Sequence, residues 1–319
     1  MNEPIFIKPS FTSYLWGGQR LAADFGYAIP EGNIGEAWLF SVHPDGDSYI
    51  ESGKWTGQSL RELWEIKPNL FGPENNEKQP PLLVKILDAR EDLAIQVHPN
   101  DAYAEANNLG IGKAECWYII DAKESAQIFY GHSAKNREEL AKQIKEERWG
   151  ELLEEVTVKA GDFVYVPPGT IHALGKGILA LEVQQSSNIT YRMYDFDRKD
   201  ENGNVRNLHI KEGLEVIEVP SQQPDIKHIS ENSNDEIVPL IENDFFDAYR
   251  WKIVKNLDVS INDSYSFVTV IAGQGEMMIG KEKYALKKGD CFMLPRDNYE
   301  INIQGQLELI ACSNGVLKE

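Results

Sequence analysis

Gln96, His98, Glu115 and His172 have the types and the spacing to hold a divalent cation. Gln96 and His98 stand two apart in the strand-like run 93–98, and residues two apart on a strand face the same way. Glu115 opens a second such run, 115–120. His172 closes Gly161-Asp162-Phe163-Val164-Tyr165-Val166-Pro167-Pro168-Gly169-Thr170-Ile171-His172, which reads as a strand, a tight proline and glycine corner, and a histidine turned inward. Two imidazoles, a carboxylate and an amide oxygen suit a borderline ion, Zn²⁺ first and one per chain, with water or substrate oxygens completing the shell. The set contains no thiolate, which argues against a purely structural zinc site. Taken singly, each residue has a plainer reading: His98 and His172 as satisfied loop histidines, Glu115 as a solvated strand end, Gln96 as a surface amide. His43-Pro44-Asp45 mirrors His98-Pro99-Asn100 without a second ligand nearby, and His43 reads as structural or as pocket wall. His132, His209 and His228 lie in polar surroundings and read as surface residues.

Short strands must position these residues. The runs 36–42, 82–87, 93–98, 115–120, 126–130, 162–166, 179–184 and 189–194 are rich in β-branched and aromatic residues and bounded by Gly, Pro, Asn or Asp. No strand–helix–strand rhythm appears, which argues against a doubly wound sheet. Three helices are predicted. Ser59 with Glu62 forms a capping box before Leu60, Leu63 and Trp64; Asn100 or Asp101 opens a short helix to Asn107; Asn136 with Glu139 caps a longer one striped by Leu140, Ile144 and Trp149. The last lies in an insertion at about 133–153. The polar stretch 220–236 reads as a linker or long loop, after which strand runs return at 249–253, 266–272, 276–279, 291–294 and 307–311. Gly161-Asp162 and Pro167 recur as Gly289-Asp290 and Pro295, but Gly169 and His172 become Asp297 and Glu300. The expectation is a mainly β protein of two antiparallel β-barrel domains. Residues 1–235 would carry the metal and the helical insertion, and 236–319 would form a smaller domain without the metal histidine.

A chain of 319 residues suits two domains. Its formal net charge of -19 disfavours nucleic acid and anionic membranes as partners, yet leaves room for a local cationic patch that binds a small anion. The three cysteines, Cys116, Cys291 and Cys312, have no framework spacing, which favours a reducing compartment, and Cys116 reads as core. Residues 1–11 carry no signal-peptide run and no stretch has membrane-spanning length, so a cytoplasmic location is the expectation. The pattern sets no oligomeric state; a monomer is compatible with it.

The run from Gly161 to His172 resembles the second conserved motif of the cupin superfamily. Within it, Gln96-Val97-His98-Pro99-Asn100-Asp101, Lys113-Ala114-Glu115 and Tyr191-Arg192-Met193-Tyr194-Asp195 are similar to the type I mannose-6-phosphate isomerases. Tyr14-Leu15-Trp16-Gly17-Gly18 and Gly35-Glu36-Ala37-Trp38 fit the start of their short bacterial form, and the likeness runs over essentially the whole length. It implies two cupin jelly-roll domains, zinc as cofactor, a hexose 6-phosphate substrate, and the interconversion of mannose 6-phosphate and fructose 6-phosphate through a cis-enediol(ate). It assigns the metal to Gln96, His98, Glu115 and His172, with the Gln96 amide the weakest ligand, and puts the family's active-site arginine at Arg192. Arg192 can bind phosphate or the enediolate through its guanidinium fork. Lys113, two residues before Glu115 and on its face, can hydrogen-bond a sugar oxygen or supply positive potential.

The sequence departs from the longer members of that family. Gly112 stands where they carry a histidine before the lysine, Ala114 replaces a proline, and Ser187 is the closest match to their aspartate before the arginine. The general base is therefore open between Glu115, a metal-bound water and Asp195. Competing functions are another cupin sugar-phosphate isomerase, a non-catalytic sugar-binding cupin, and a cupin oxygenase, whose iron site would be richer in histidine.

Overall fold

The computed structural model describes residues 3–72, 82–229, 234–262 and 264–314. Its antiparallel strands gather into open sheets in a jelly-roll arrangement, not into closed barrels. In the first half, a seven-stranded sheet places Asp162–Val166, Glu115–Ala122, Ile178–Gln185 and Leu82–Ala89 side by side, with Ser10–Gly18 and Ile34–Phe40 at one edge and Ile226–His228 at the other. Facing it is a five-stranded sheet in the order Leu153–Thr157, Gln127–His132, His172–Leu174, Ile95–Val97, Tyr191–Tyr194. Trp117 of the larger sheet meets His172 of the smaller edge-on, with ring centroids 5.5 Å apart.

The central strands of the larger sheet read as continuous apolar runs because both their faces are covered. Val84, Ile86, Cys116, Tyr118, Leu181 and Val183 point into a core shared with the second half of the chain. The alternate positions face the smaller sheet, where Trp117, Ile119 and Ala180 pack. Tyr118 and Arg250 close the shared core by donating to the same carboxylate oxygen of Glu308, at 2.6 and 2.8 Å.

The second half contributes Glu236–Glu242, Phe246–Ile253, Asn256–Asn262, Ser266–Ile279, Glu282–Lys287, Cys291–Leu294 and Asn298–Asn314 to a nine-stranded sheet. Ile5–Lys8 and Tyr49–Ile50 complete it, Ile5 pairing with Met293 and Ile7 with Ile50. Its own core of Trp251, Val270, Met277, Phe292, Ile303 and Leu309 is apolar throughout. The runs 266–272 and 276–279 are one strand. Gly273 and Gly275 between them mark a close passage: a Cβ at Gly273 would run into the Gln306 carbonyl oxygen, and one at Gly275 into that of Gln304.

One expectation is corrected, and two strands lie where none was expected. The polar stretch 220–236 contains a strand, Ile226–His228, paired with Asp162–Val166 (230–233 lie outside the described residues). Residues 5–8 form a strand although their flanks are polar. The run 10–18 is also a strand, of which the sequence motif covers only 14–18. The predicted helices form where their caps lie. Ser59 accepts from Glu62 N in a complete capping box, Asn100 opens Asp101–Ala106, and Asn136 opens Arg137–Lys145. The insertion buries Leu140, Ile144, Trp149 and Leu152 in the core of the first half. The Gly-Asp echo is structural. Gly161 and Gly289 both have positive φ, and Asp162 and Asp290 each accept from the backbone N–H three residues earlier, at 2.9 and 2.8 Å. No helix among the described residues is long and apolar enough to cross a membrane.

Candidate metal centre and active-site cleft

Strand register sets up the site. In the smaller sheet, Gln96 pairs with His172 on one side and with Arg192 on the other. Directly opposed residues project to the same face, so His172, Gln96 and Arg192 form one transverse row. The corner before His172 turns through Gly169, whose φ of 85° favours glycine. The larger sheet supplies Glu115 at the start of its strand, with His98 just past Ile95–Val97.

The ligating atoms of His98, Glu115 and His172 all lie within 4.8 Å of one another, and the three residues are buried. His98 Nδ1 donates to the Ile189 carbonyl at 2.8 Å, and His172 Nδ1 to that of Thr170 at 2.8 Å. Both rings therefore turn an unprotonated Nε2 toward Glu115, the tautomer a metal requires. Burial, aided by the Lys113 ammonium, pushes the His98 imidazole down to about 3, which keeps it neutral. Burial alone would lift the Glu115 carboxyl, but the Lys113 ammonium outweighs it and holds it well below the carboxylate range.

Lys113 Nζ donates to Glu115 Oε2 at 2.6 Å and to His98 Nε2 at 3.1 Å. Glu115 Oε1, 3.1 Å from His172 Nε2, accepts no hydrogen bond. Two buried acceptors thus face each other without a proton, an arrangement that suits a shared cation. The donor set fits a borderline divalent ion. The Gln96 amide is 3.4 Å from His172 Nε2, beside the cluster.

The sequence reading missed the charged floor of the cleft. A second row, Trp117–Glu182–Lys85–Trp38, crosses the larger sheet. Lys85, 3% exposed, lies between Glu36 at 3.6 Å and Glu182 at 3.5 Å. Trp38 Nε1 donates to Glu36 and Trp117 Nε1 to Glu182. Burial, then Glu115, pushes the Glu182 carboxyl up; for Lys85 the two carboxylates outweigh burial and raise its ammonium. A signal was present: Lys85 is the lone charge in the otherwise apolar run 82–87 and Glu182 the lone charge in 178–183, and charges so placed must be paired indoors. The cleft above has a volume of about 220 Å³ and is lined by Glu36, Lys85 and Glu182 with Tyr14, Trp16, Gln96, Lys113, Arg192 and Arg206.

Arg192 and Lys113 therefore line one cleft beside the His98–Glu115–His172 cluster. Asp195, considered above as a base, is held low despite its burial by Arg206 and Arg198, which suits an anchor better than a proton acceptor. Two histidines differ from expectation. His132 is 3% exposed because its ring reaches the Glu218 carbonyl at 3.0 Å, and His209 is half-buried, accepting from Arg192 N at 3.1 Å. His228 is exposed beside Asp162, and His43 packs against Trp38.

Known proteins share this architecture. The model for the type I phosphomannose isomerase catalytic domain matches residues 5–125, and that for the mannose-6-phosphate isomerase cupin domain matches 236–314. The chain is 46% identical to the mannose-6-phosphate isomerase ManA of Bacillus subtilis (strain 168), over 97% of this chain and 98% of that protein. It is 44% identical to the mannose-6-phosphate isomerase of Streptococcus mutans, over 98% of each. The crystal structure of the mannose 6-phosphate isomerase from Bacillus subtilis superposes with a TM-score of 0.90 at 40% identity, covering 98% of this chain and 99% of that one. The apo enzyme from Salmonella typhimurium shares the fold, with a TM-score of 0.77 at 17% identity, covering 99% of this chain and 100% of that one. With full-length identity above 40% and a buried His–Glu–His cluster beneath a cationic cleft, the chain belongs to the type I phosphomannose isomerases.

Proposed function

We propose that this protein interconverts mannose 6-phosphate and fructose 6-phosphate through a cis-enediol(ate), with one Zn²⁺ held by His98, Glu115 and His172 and with Gln96 alongside. The observation that carries the metal is the unprotonated contact between Glu115 Oε1 and His172 Nε2. When bound, the ion would act as a Lewis acid toward the sugar oxygens on which charge develops.

The chain's own residues account for the rest. Lys113, its ammonium at the cluster, donates to a sugar oxygen next to the reacting carbons. Arg192, in the row with Gln96 and His172, sets a guanidinium against the enediolate. The proton shuttle between C1 and C2 falls best to Glu182. It is the cleft carboxyl pushed upward by burial, the direction that lets it take a proton and return it. Lys85 and Trp117 hold that carboxyl in place.

Incubation with mannose 6-phosphate, glucose 6-phosphate or fructose 6-phosphate, followed by product identification by NMR, tests the assignment. Interconversion of the mannose and fructose esters is expected. Turnover of glucose 6-phosphate in preference to the mannose ester would assign a different isomerase, and absence of turnover with any ester would assign a binding protein.

A further inference from the structure

Four positively charged side chains, Lys85, Lys113, Arg192 and Arg206, line the cleft of a protein whose net charge is -19. Lys85 and Lys113 are matched by the carboxylates of Glu36, Glu182 and Glu115. At the other end the balance is different. Asp195 is the carboxylate paired with both Arg198 and Arg206. Arg198 is committed elsewhere too, donating to the Asp92 carbonyl and lying over the Phe196 ring. Arg192 donates to the Asn207 carbonyl at 2.9 Å, and its buried Nε has no partner. Even with Arg192 set aside, Arg198 and Arg206 share one carboxylate, so this end carries a surplus of guanidinium charge.

Arg206 is presented to the cleft with its orientation fixed. Its Nε and one Nη donate side by side to the two oxygens of Asp195, at 2.6 Å for the Nε bond. Its other Nη has no bonding partner among the described residues. The loop that carries it is tied to Arg192 by three bonds: Arg192 Nη1 to Asn207 O, Arg192 N to His209 Nδ1, and His209 N to Arg192 O. Arg192 stands in the strand next to Gln96, in the row that begins at His172, whereas Arg206 lies beyond that strand in the following loop. Counted from His172, Arg206 therefore stands one step beyond Arg192, on the outer side of the row.

We infer that Arg206, positioned by Asp195, is the residue that binds the phosphate of the sugar ester and so selects phosphorylated over free sugar, while Arg192 serves the reacting end. This rests on the isomerase reading above. A hexose 6-phosphate carries its dianion at the carbon farthest from C1 and C2. A substrate whose C1 and C2 lie at the metal cluster must send its phosphate outward, toward the surplus guanidinium charge. A preset fork loses little freedom on binding, and an Arg–phosphate contact is charge-assisted.

The test is steady-state kinetics on Arg206→Gln and Arg206→Lys, with inorganic phosphate as the competing anion. Removal of one charge-assisted contact should raise KM for mannose 6-phosphate by roughly 10- to 100-fold in Arg206→Gln. The same substitution should leave kcat within about threefold and weaken inhibition by phosphate in parallel, because uniform binding is lost and not transition-state binding. Arg206→Lys keeps a cation opposite Asp195 and should fall between. A drop in kcat at unchanged KM, or unchanged phosphate inhibition, overturns the inference. Calorimetric titration with phosphate decides it even if the wild-type protein isomerises no sugar ester. Weaker binding to both variants supports the role of Arg206, and equal binding by wild type and variants overturns it.

Discussion

His172 Nε2 and Glu115 Oε1 stand 3.1 Å apart with a proton on neither, because the ring's proton points to Thr170 and the carboxylate is ionised. Unrelieved, such a contact in a buried place costs stability. A divalent ion on these atoms should therefore stabilise the fold. Chelation should lower the melting temperature by about 4 °C, the size expected when a ligand held at 100-fold over its Kd is lost from a chain of this length. Zn²⁺ should restore it. An unchanged melting temperature after complete metal removal would count against the site.

Arg192 lines the cleft, and its hydrogen bonds go to Asn207 and His209 and not to the His98–Glu115–His172 cluster. Arg192→Ala should retain metal and circular dichroism while activity falls by roughly 10²-fold or more, the scale of losing a transition-state contact. Unchanged turnover would remove Arg192 from the chemistry.

Glu182→Gln preserves shape and the Trp117 contact but cannot carry the proton. Its kcat should fall by roughly 10²- to 10⁴-fold. Exchange of the C2 hydrogen of mannose 6-phosphate with D₂O, followed by NMR, should be lost to the same degree. Wild-type exchange in the variant would return the shuttle to another group.

Glu308 joins the two halves. Burial alone would raise its carboxyl, but the bonds from Arg250 and Tyr118 hold it below its usual 4.5. A depressed folded value means the contribution is complete above pH 4.5 and is lost as pH falls below it. Glu308→Gln should cost about 3 kcal/mol at pH 7, since it leaves the buried Arg250 short of its partner. In urea unfolding, the gap between wild type and variant should narrow as pH drops below 4.5. A gap independent of pH would mean that the carboxylate's charge is not what matters.

Much of this was legible in the chain because local rules and fold agree. Ser59, Asn100 and Asn136 mark helix starts by their own hydrogen bonds, and the spacing of Gln96 and His98 already places both toward one space. The Gly161 and Gly289 turns could be matched because each closes on an aspartate three residues from the backbone N–H it accepts. What was not legible is nonlocal. Lys85 and Glu182 look like flaws in apolar strands until register brings them together. His132 is buried by a carbonyl 86 positions away. Ile5–Lys8 becomes a strand through Cys291–Leu294, near the other end of the chain. Arg206 sits in a polar loop with no motif, and only its fork onto Asp195 turns it toward the cleft.

The proposed reaction is a metal-dependent interconversion of mannose 6-phosphate and fructose 6-phosphate at the His98–Glu115–His172 cluster. Its most direct test is a coupled assay on protein stripped of metal, titrated with Zn²⁺ and then with other divalent ions. The stripped protein should show negligible activity and regain full activity on addition of about one equivalent of Zn²⁺ per chain. Full turnover by the stripped protein, or none under any divalent ion, would contradict it.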